Sequence, residues 1–501
     1  MVEPGAERVD STFVIAVLGC GAVAAIGVLS PAALAEGALA TVRTVMAQLG
    51  WFYLGAVAVF LLTAVWLAVG RHGTRRLGTD DEVPEFSTLS WLAMLFSAGM
   101  GTGLMFWGVA EPITHWANPP IGEGATIEAA RQALVLTDFH WGLHAWGIYC
   151  IAALCLGYFR FRHGATYLPG APLRRGFAGR WREPAARIAD LVAVLAVAFG
   201  VAGAMGMGVF QIRSGLATLL GWDPESGLVA TFILVTLGVA YTASASTRLE
   251  RGIQWLSATN MVLALVFLAA VLLGGPTTAI VQTWVTSVID YAVALPGLTL
   301  ALPPWDDLGP WRDEWTLTYL IWWIAWAPFV GVFVARISRG RTIREFVAGV
   351  LLVPTVFSTI WFAVLGGAAL EHELQGTGEI AVHVEGSVDR ALFALLEQLP
   401  GGDLLAATAM VLVFVFLVTS ADSAAYVLGM VTSRGATEPP RSRKLTWGLV
   451  LGLLAATLVA TNDIDVVKAV AILGAIPFTL VLVVQLGALV RALRRETRAT
   501  G

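Results

Sequence analysis

The chain has 501 residues, of which 57% are apolar and only 13% charged, and its mean hydropathy is +0.76. That balance excludes an ordinary soluble protein, and no nucleic-acid partner is expected. A formal net charge of −4 says little about partners, because the charges are sorted by position along the chain.

A bilayer-crossing helix needs about 20 apolar residues. Such runs occur at 12–34, 51–70, 89–111, 137–158, 187–210, 228–245, 252–274, 317–337, 346–369, 403–432, 446–461 and 466–490. The chain is therefore expected to be an all-α polytopic membrane protein with twelve transmembrane helices. A further apolar stretch, 277–298, carries Asp290 and has prolines nearby, and it reads as an interfacial helix on the outer side. About 25 of the 31 Lys and Arg residues fall on one side of this layout, which puts both termini in the cytoplasm of a cell-membrane protein. No small-residue cleavage pattern ends the first span, so it is expected to stay as a helix. Cys20, Cys150 and Cys155 each lie inside an apolar span without metal spacing, and read as core residues.

The first two spans carry no mid-span charge and read as a peripheral pair. In the third, Gly99, Gly101 and Gly103 alternate at mid-membrane depth. Each glycine weakens a helix by up to about 1 kcal/mol relative to alanine, so an unwound segment is plausible. Irregular backbone is tolerated in a membrane only where it is buried or lines a cavity. Freed N–H groups could hold an anion and freed carbonyls a sodium ion, whereas close packing through small residues is the competing reading. Glu111 reads as the outer end of this span.

The fourth span carries Trp141, Trp146 and Tyr149. On a regular helix they sit at 0°, about 140° and about 80°, so one broad face holds three rings. His140 and His144 have a spacing that could bind a metal, but no carboxylate or cysteine completes a site locally, and they read as packed or hydrogen-bonded histidines. The basic loop 159–187 reads as a solvated loop that could also meet anionic membrane lipid. The fifth span offers no side-chain oxygen between Leu191 and Val209.

The eighth span is the most aromatic, with Trp322, Trp323 and Trp326 inside five residues. They occupy an arc of about 100° at mid-span, away from the interfaces where lipid-facing tryptophans collect. A quaternary ammonium suits such a cluster, because ring quadrupoles attract a cation that has no N–H to donate. A protein-packed aromatic seam is the alternative. A tight basic turn follows at 336–344, then an acidic outer insert at 371–403 too short to be a domain. Span ten ends with Thr419, Ser420 and Asp422, two hydroxyls and an acid near the membrane. A perturbed span opens each of two five-span sets, as in transporters built from inverted repeats.

The segments G-M-G-T-G-L-M-F-W-G-V-A-E-P at 99–112, W-T-L-T-Y-L-I-W-W-I-A-W-A-P-F-V-G at 315–331, R-I-S-R-G-R-T-I-R-E-F at 336–346 and T-S-A-D-S at 419–423 resemble the betaine/choline/carnitine transporters, the BCCT family. The resemblance implies a LeuT-type fold with two inverted five-helix repeats at 89–275 and 315–490. Two leading helices would lie within 1–88, an outer interfacial helix and loop at 276–314, and a cytoplasmic tail at 491–501. It implies a homotrimer, an aromatic box of Trp141, Trp146, Tyr149 and Trp323 around a trimethylammonium group, and Trp322 and Trp326 along the same path. Ala98, Gly99, Met100, Gly101 and Gly103 would face the carboxylate end of the substrate.

Family members coupled to two sodium ions have threonines at the positions of Val197 and Val201, and valine cannot ligate a hard cation. That removes the first sodium site, which would also have involved Phe329. The other keeps its ligands, the backbone oxygens of Ser97, Met100 and Phe416 and the hydroxyls of Thr419 and Ser420, so one coupling sodium is expected and no other cofactor. Choline-selective members carry an aspartate where this chain has Gly103, which favours a zwitterion such as glycine betaine. Osmotically gated members add long charged tails, and the short ends here argue against strong osmotic gating.

The resulting expectation is a sodium-coupled importer of a quaternary ammonium or sulfonium zwitterion. The alternatives are a sodium-independent exchanger, or a proton-coupled transporter of carnitine, choline or a related onium compound. A membrane enzyme using His140, His144 and Asp422 would need a nucleophile or metal that the sequence does not offer. A ligand-binding sensor would need an output domain.

Overall fold

In the computed structural model, which describes residues 10–99, 101–246, 250–301, 308–376 and 378–500, the protein is a bundle of helices. Helix α1 (Ser11–Leu29) starts at Asp10, whose carboxylate accepts the Thr12 N–H, and α2 (Pro31–Val69) follows at once. Pro31 sits in the first turn of α2, where its missing N–H costs nothing, so the first span stops at Leu29 rather than running to 34. Helices α3 (Thr88–Gly99) and α4 (Thr102–Ala117) meet at 64°, a break in the span where the glycines alternate.

Helices α5 (Ile127–Trp141) and α6 (Leu143–His163) are separated only by Gly142. The short α7 (Ala171–Gly176) leads to α8 (Arg182–Leu220), and then come α9 (Gly227–Ser246), α10 (Glu250–Gly274) and α11 (Thr277–Leu300). A near-continuous helix follows, made of α12 (Gly309–Arg312), one π turn (Asp313–Leu317) and α13 (Thr318–Ile337). After α14 (Ile343–Leu374), the acidic insert folds into α15 (Ile380–Gly386), a 3₁₀ turn (Val388–Arg390) and α16 (Ala391–Glu397). The chain ends with α17 (Gly402–Val431), α18 (Arg441–Val459), α19 (Ile464–Leu473) and α20 (Ile476–Thr500).

Among the described residues, eleven helices are long and apolar enough to cross a membrane, or twelve if the bent α3–α4 pair is one span. Helix α11, read as interfacial, is itself long and apolar enough to be among them, although with one of the lower mean hydropathies. Helix α10, 25 residues long, covers the span read at 252–274. Helices α2 and α8 have 39 residues each, well beyond the roughly 20 that cross a bilayer. The apolar windows at 51–70 and 187–210 mark only part of longer helices, the C-terminal half of α2 and the middle of α8. All three cysteines are buried and unpaired.

At the end of the bundle rich in basic residues, the turn after α13 is laced to the segment after α2. Leu77 N–H donates to Arg341 O and Gly340 N–H to Leu77 O, both at 2.8 Å, and Ile343 N–H donates to Arg75 O at 2.8 Å. Trp91 Nε1 donates to Ser338 Oγ at 3.0 Å, and the Arg341 guanidinium lies 4.8 Å from the Trp91 ring centre. Thr342 and Glu345 form a reciprocal capping box that starts α14. These ties hold the lower ends of α2, α3, α13 and α14 together, the frame on which the central cavity is built.

Candidate functional site

Helix α13 packs along α6 and α8, and α17 packs along α8. Between α6, α13, α17 and the α3–α4 break lies a cavity of about 250 Å³. Six of the residues read as substrate-binding line it with their rings: Trp141, Trp146, Tyr149, Trp322, Trp323 and Trp326. Gly101 and Gly103 line it too, as do Ser97, Phe416, Thr419 and Ser420. Ala98 and Gly99 are the last residues of α3 at the break, and Met100 lies outside the described residues.

The rings form walls at right angles. Trp141 and Trp323 have centres 5.0 Å apart at 89°, Tyr149 and Trp323 5.5 Å apart at 81°, and Trp146 and Tyr149 5.4 Å apart at 81°. Four such faces make a box that an apolar cation can fill. The angular reading assumed one unbroken helix, yet α5 ends at Trp141. Gly142 bends the path so little that the rings of Trp141, Trp146 and Tyr149 still reach one cavity.

The indole N–H of Trp323 donates to the backbone carbonyl of His140 at 2.8 Å, in the turn that Gly142 interrupts. The indole N–H of Trp141 donates to Glu111 Oε2 at 2.7 Å. His140 Nδ1 lies 2.7 Å from Glu111 Oε1, and its Nε2 lies 2.9 Å from Thr316 Oγ1. Glu111 is therefore not the outer end of a span. It is fully buried in α4, one turn before His115, whose Nε2 lies 3.4 Å from the same carboxylate. His144 sits apart from this cluster against the Phe139 ring, so the His140/His144 spacing forms no shared site. The signal for Glu111 was present in the sequence, since a carboxylate amid apolar residues demands a partner.

Other lining residues were not singled out from sequence. Tyr319 precedes Trp323 by one turn of α13, and its ring lies 5.6 Å from Trp141. Asn260 of α10 lines the cavity while buried, and neither amide atom has a hydrogen-bond partner among the described residues. Among the described lining residues there is no Asp, Glu, Lys or Arg.

The broken span offers polar backbone at the same place. Gly101, Thr102, Gly103 and Leu104, at the start of α4, line the cavity, so the positive end of this helix dipole lies at its wall. Thr419 Oγ1 donates to Val415 O at 2.9 Å and Phe416 O at 3.1 Å, which leaves its own lone pairs uncommitted. Val197 and Val201 are buried and bring no oxygen to the wall of α8.

The family pattern "BCCT, betaine/carnitine/choline family transporter" matches residues 11–498. The chain belongs to the BCCT family. It is a multi-pass membrane transporter, not an enzyme. It is 39% identical over 494 residues to the glycine betaine transporter OpuD of Bacillus subtilis, covering 98% of this chain and 96% of that one. It is 40% identical over 448 residues to a glycine betaine transporter of Acinetobacter baylyi, with 89% and 67% covered. It is 38% identical over 460 residues to the high-affinity choline transport protein of Escherichia coli K12, with 91% and 68% covered. In this BCCT chain the ring box and the broken α3–α4 span thus lie side by side in one cavity, with no charge among its described lining residues.

Proposed function

We propose that this protein imports a trimethylammonium zwitterion, with glycine betaine the foremost candidate, by sodium-coupled symport. The observation that carries the reading is the box of Trp141, Trp146, Tyr149 and Trp323 in a cavity with no charged residue among its described lining residues. Four rings at about 0.5–2 kcal/mol each suffice for micromolar to millimolar affinity after ordering costs. A net-neutral ligand suits uncharged walls, and its carboxylate has the start of α4 to meet. Relatives named for glycine betaine and for choline both recognise this headgroup class, and Gly103 favours the zwitterion.

The coupling ion is assigned to Ser97, Met100 and Phe416 backbone oxygens with the Thr419 and Ser420 hydroxyls. The protein is read as a LeuT-type fold of two inverted five-helix repeats, 89–275 and 315–490, with two leading helices before them. The segment 276–314, with the membrane-length helix α11, connects the two repeats, and 491–501 is a cytoplasmic tail. Three copies assemble in the cell membrane with both termini cytoplasmic, in keeping with the basic residues gathered at one end. Alternating access moves one repeat against the other around the box.

A second reading is favoured by Val197 and Val201, which leave the first sodium position without oxygen ligands. It is sodium-independent exchange, or proton-coupled transport of choline, carnitine or a related onium compound. Uptake of glycine betaine into proteoliposomes, with and without an inward sodium gradient at clamped pH and potential, separates the two. Concentrative sodium-dependent uptake is expected. Uptake only into substrate-preloaded vesicles, whatever the sodium gradient, would overturn the symport reading.

A further inference from the structure

Glu111 stands behind two walls of the box at once. It accepts the Trp141 indole N–H at 2.7 Å, and it meets His140, whose carbonyl accepts the Trp323 indole N–H at 2.8 Å. Its side chain has no exposure. A buried carboxylate is costly to keep, and a neutral amide would hold the same rings. Glutamine could accept the Trp141 N–H through its oxygen and donate its NH₂ to His140 Nδ1, with His140 Nε2–H then donating to Thr316. The geometry alone therefore does not explain why the group is an acid.

Resting on the substrate reading above, we propose that Glu111 is a specificity-determining positioning residue that supplies the counter-charge for the onium end of the substrate, acting through the Trp141 ring. A carboxylate hydrogen-bonded to an indole N–H adds negative potential to that ring's face, the surface offered to the cation. The charge stays one ring-width from the substrate, so no acid lines the cavity and no direct ion pair holds the ligand back. The ligand's dipole then meets opposite fields at its two ends: Glu111 behind the onium group and the start of α4 at the carboxylate. His140 and His115 flank the carboxylate on the far side, and Thr316 fixes the His140 ring.

The test compares binding of glycine betaine with binding of 3,3-dimethylbutyrate, its carbon isostere, which keeps the shape and the carboxylate but lacks the positive charge. The full-length purified protein is titrated with each ligand by calorimetry, as wild type, Glu111→Gln and Glu111→Asp. Two unit charges about a ring-width apart in partly desolvated surroundings predict that Glu111→Gln weakens betaine binding roughly tenfold. Binding of the isostere should change by less than about twofold, as no cation is present to feel the charge. Glu111→Asp keeps the charge and should keep the betaine-to-isostere ratio even where both affinities fall. Equal losses for both ligands in Glu111→Gln would reduce Glu111 to a structural prop and overturn the inference. If Glu111→Gln fails to fold, a collapsed ratio in Glu111→Asp overturns it and a preserved ratio supports it. A wild type that binds no trimethylammonium compound would overturn the substrate reading together with this inference, whereas wild-type betaine binding with an unchanged ratio in Glu111→Gln would overturn the inference alone.

Discussion

Gly103 and the far edge of the Trp141 indole are in such close register that a Cβ on residue 103 would lie 2.9 Å from Trp141 Cη2 and 3.4 Å from Cζ3. The glycine is thus required by the ring that faces it. Gly103→Ala should push Trp141 out of its right-angled meeting with Trp323, weakening glycine betaine binding by roughly tenfold while expression and thermal stability stay near wild type. Gly103→Asp carries the same displacement plus a charge in an uncharged cavity. Its betaine affinity should fall further and its choline-to-betaine preference rise, read from competitive uptake of the two labelled substrates. An unchanged ratio would show that position 103 does not select the substrate.

Trp323 and Trp315 lie on one continuous helix, yet only Trp323 lines the cavity. Trp315 packs against Trp107 and His115 instead. Trp323→Leu removes a cation-attracting face and the bond to the His140 carbonyl, and should weaken betaine binding by more than about thirtyfold, or roughly 2 kcal/mol. Trp315→Leu should cost less than about threefold, because it leaves all four walls in place. Tryptophan-fluorescence titration of both variants measures this, and equal losses would mean that the box lies elsewhere.

Much of this site was legible because its residues announce themselves locally. Ring spacing on 141, 146 and 149, the cluster at 322–326 and the glycines at 99–103 are properties of single segments, and even the interruption at Gly142 did not scatter the rings. Helix extent was less legible, since the apolar windows cover only the C-terminal half of α2 and the middle of α8, and the helices continue beyond them. Least legible were the partners of Glu111. A carboxylate amid apolar residues calls for one, but apart from His115 one turn away, they come from residues 29 and 30 positions distant, and no local pattern points to His140 and Trp141. Tyr319 was readable in principle, one turn before Trp323, but its stacking on His140 depends on how α5 meets α13.

The turn that laces the basic end depends on Gly340, whose φ is +79° and whose added Cβ would lie 2.3 Å from Val83 O. An alanine there must adopt the left-handed region and displace backbone at once, for a cost of at least about 2 kcal/mol. Gly340→Ala should therefore lower the melting temperature in detergent and reduce the yield of folded protein. Betaine affinity of the fraction that folds should stay within about twofold, as the turn lies outside the cavity. A melting temperature equal to wild type would show that the 77–341 ladder contributes little.

The proposed sodium site makes the sharpest demand on a single hydroxyl. Thr419 Oγ1 bonds only within its own helix, to the carbonyls of Val415 and Phe416, so Thr419→Val removes a ligand oxygen while the fold loses a local bond worth about 1 kcal/mol or less. Valine also keeps the branched shape. Betaine uptake by Thr419→Val should lose its sodium stimulation, and Ser420→Ala should do the same with a smaller local penalty. In the wild type, uptake against sodium concentration should be hyperbolic with a Hill coefficient of about 1, because Val197 and Val201 leave the first sodium position without side-chain oxygen ligands and one remaining site cannot give cooperativity. A coefficient approaching 2, or full sodium stimulation in Thr419→Val, would place the coupling ion among residues other than these.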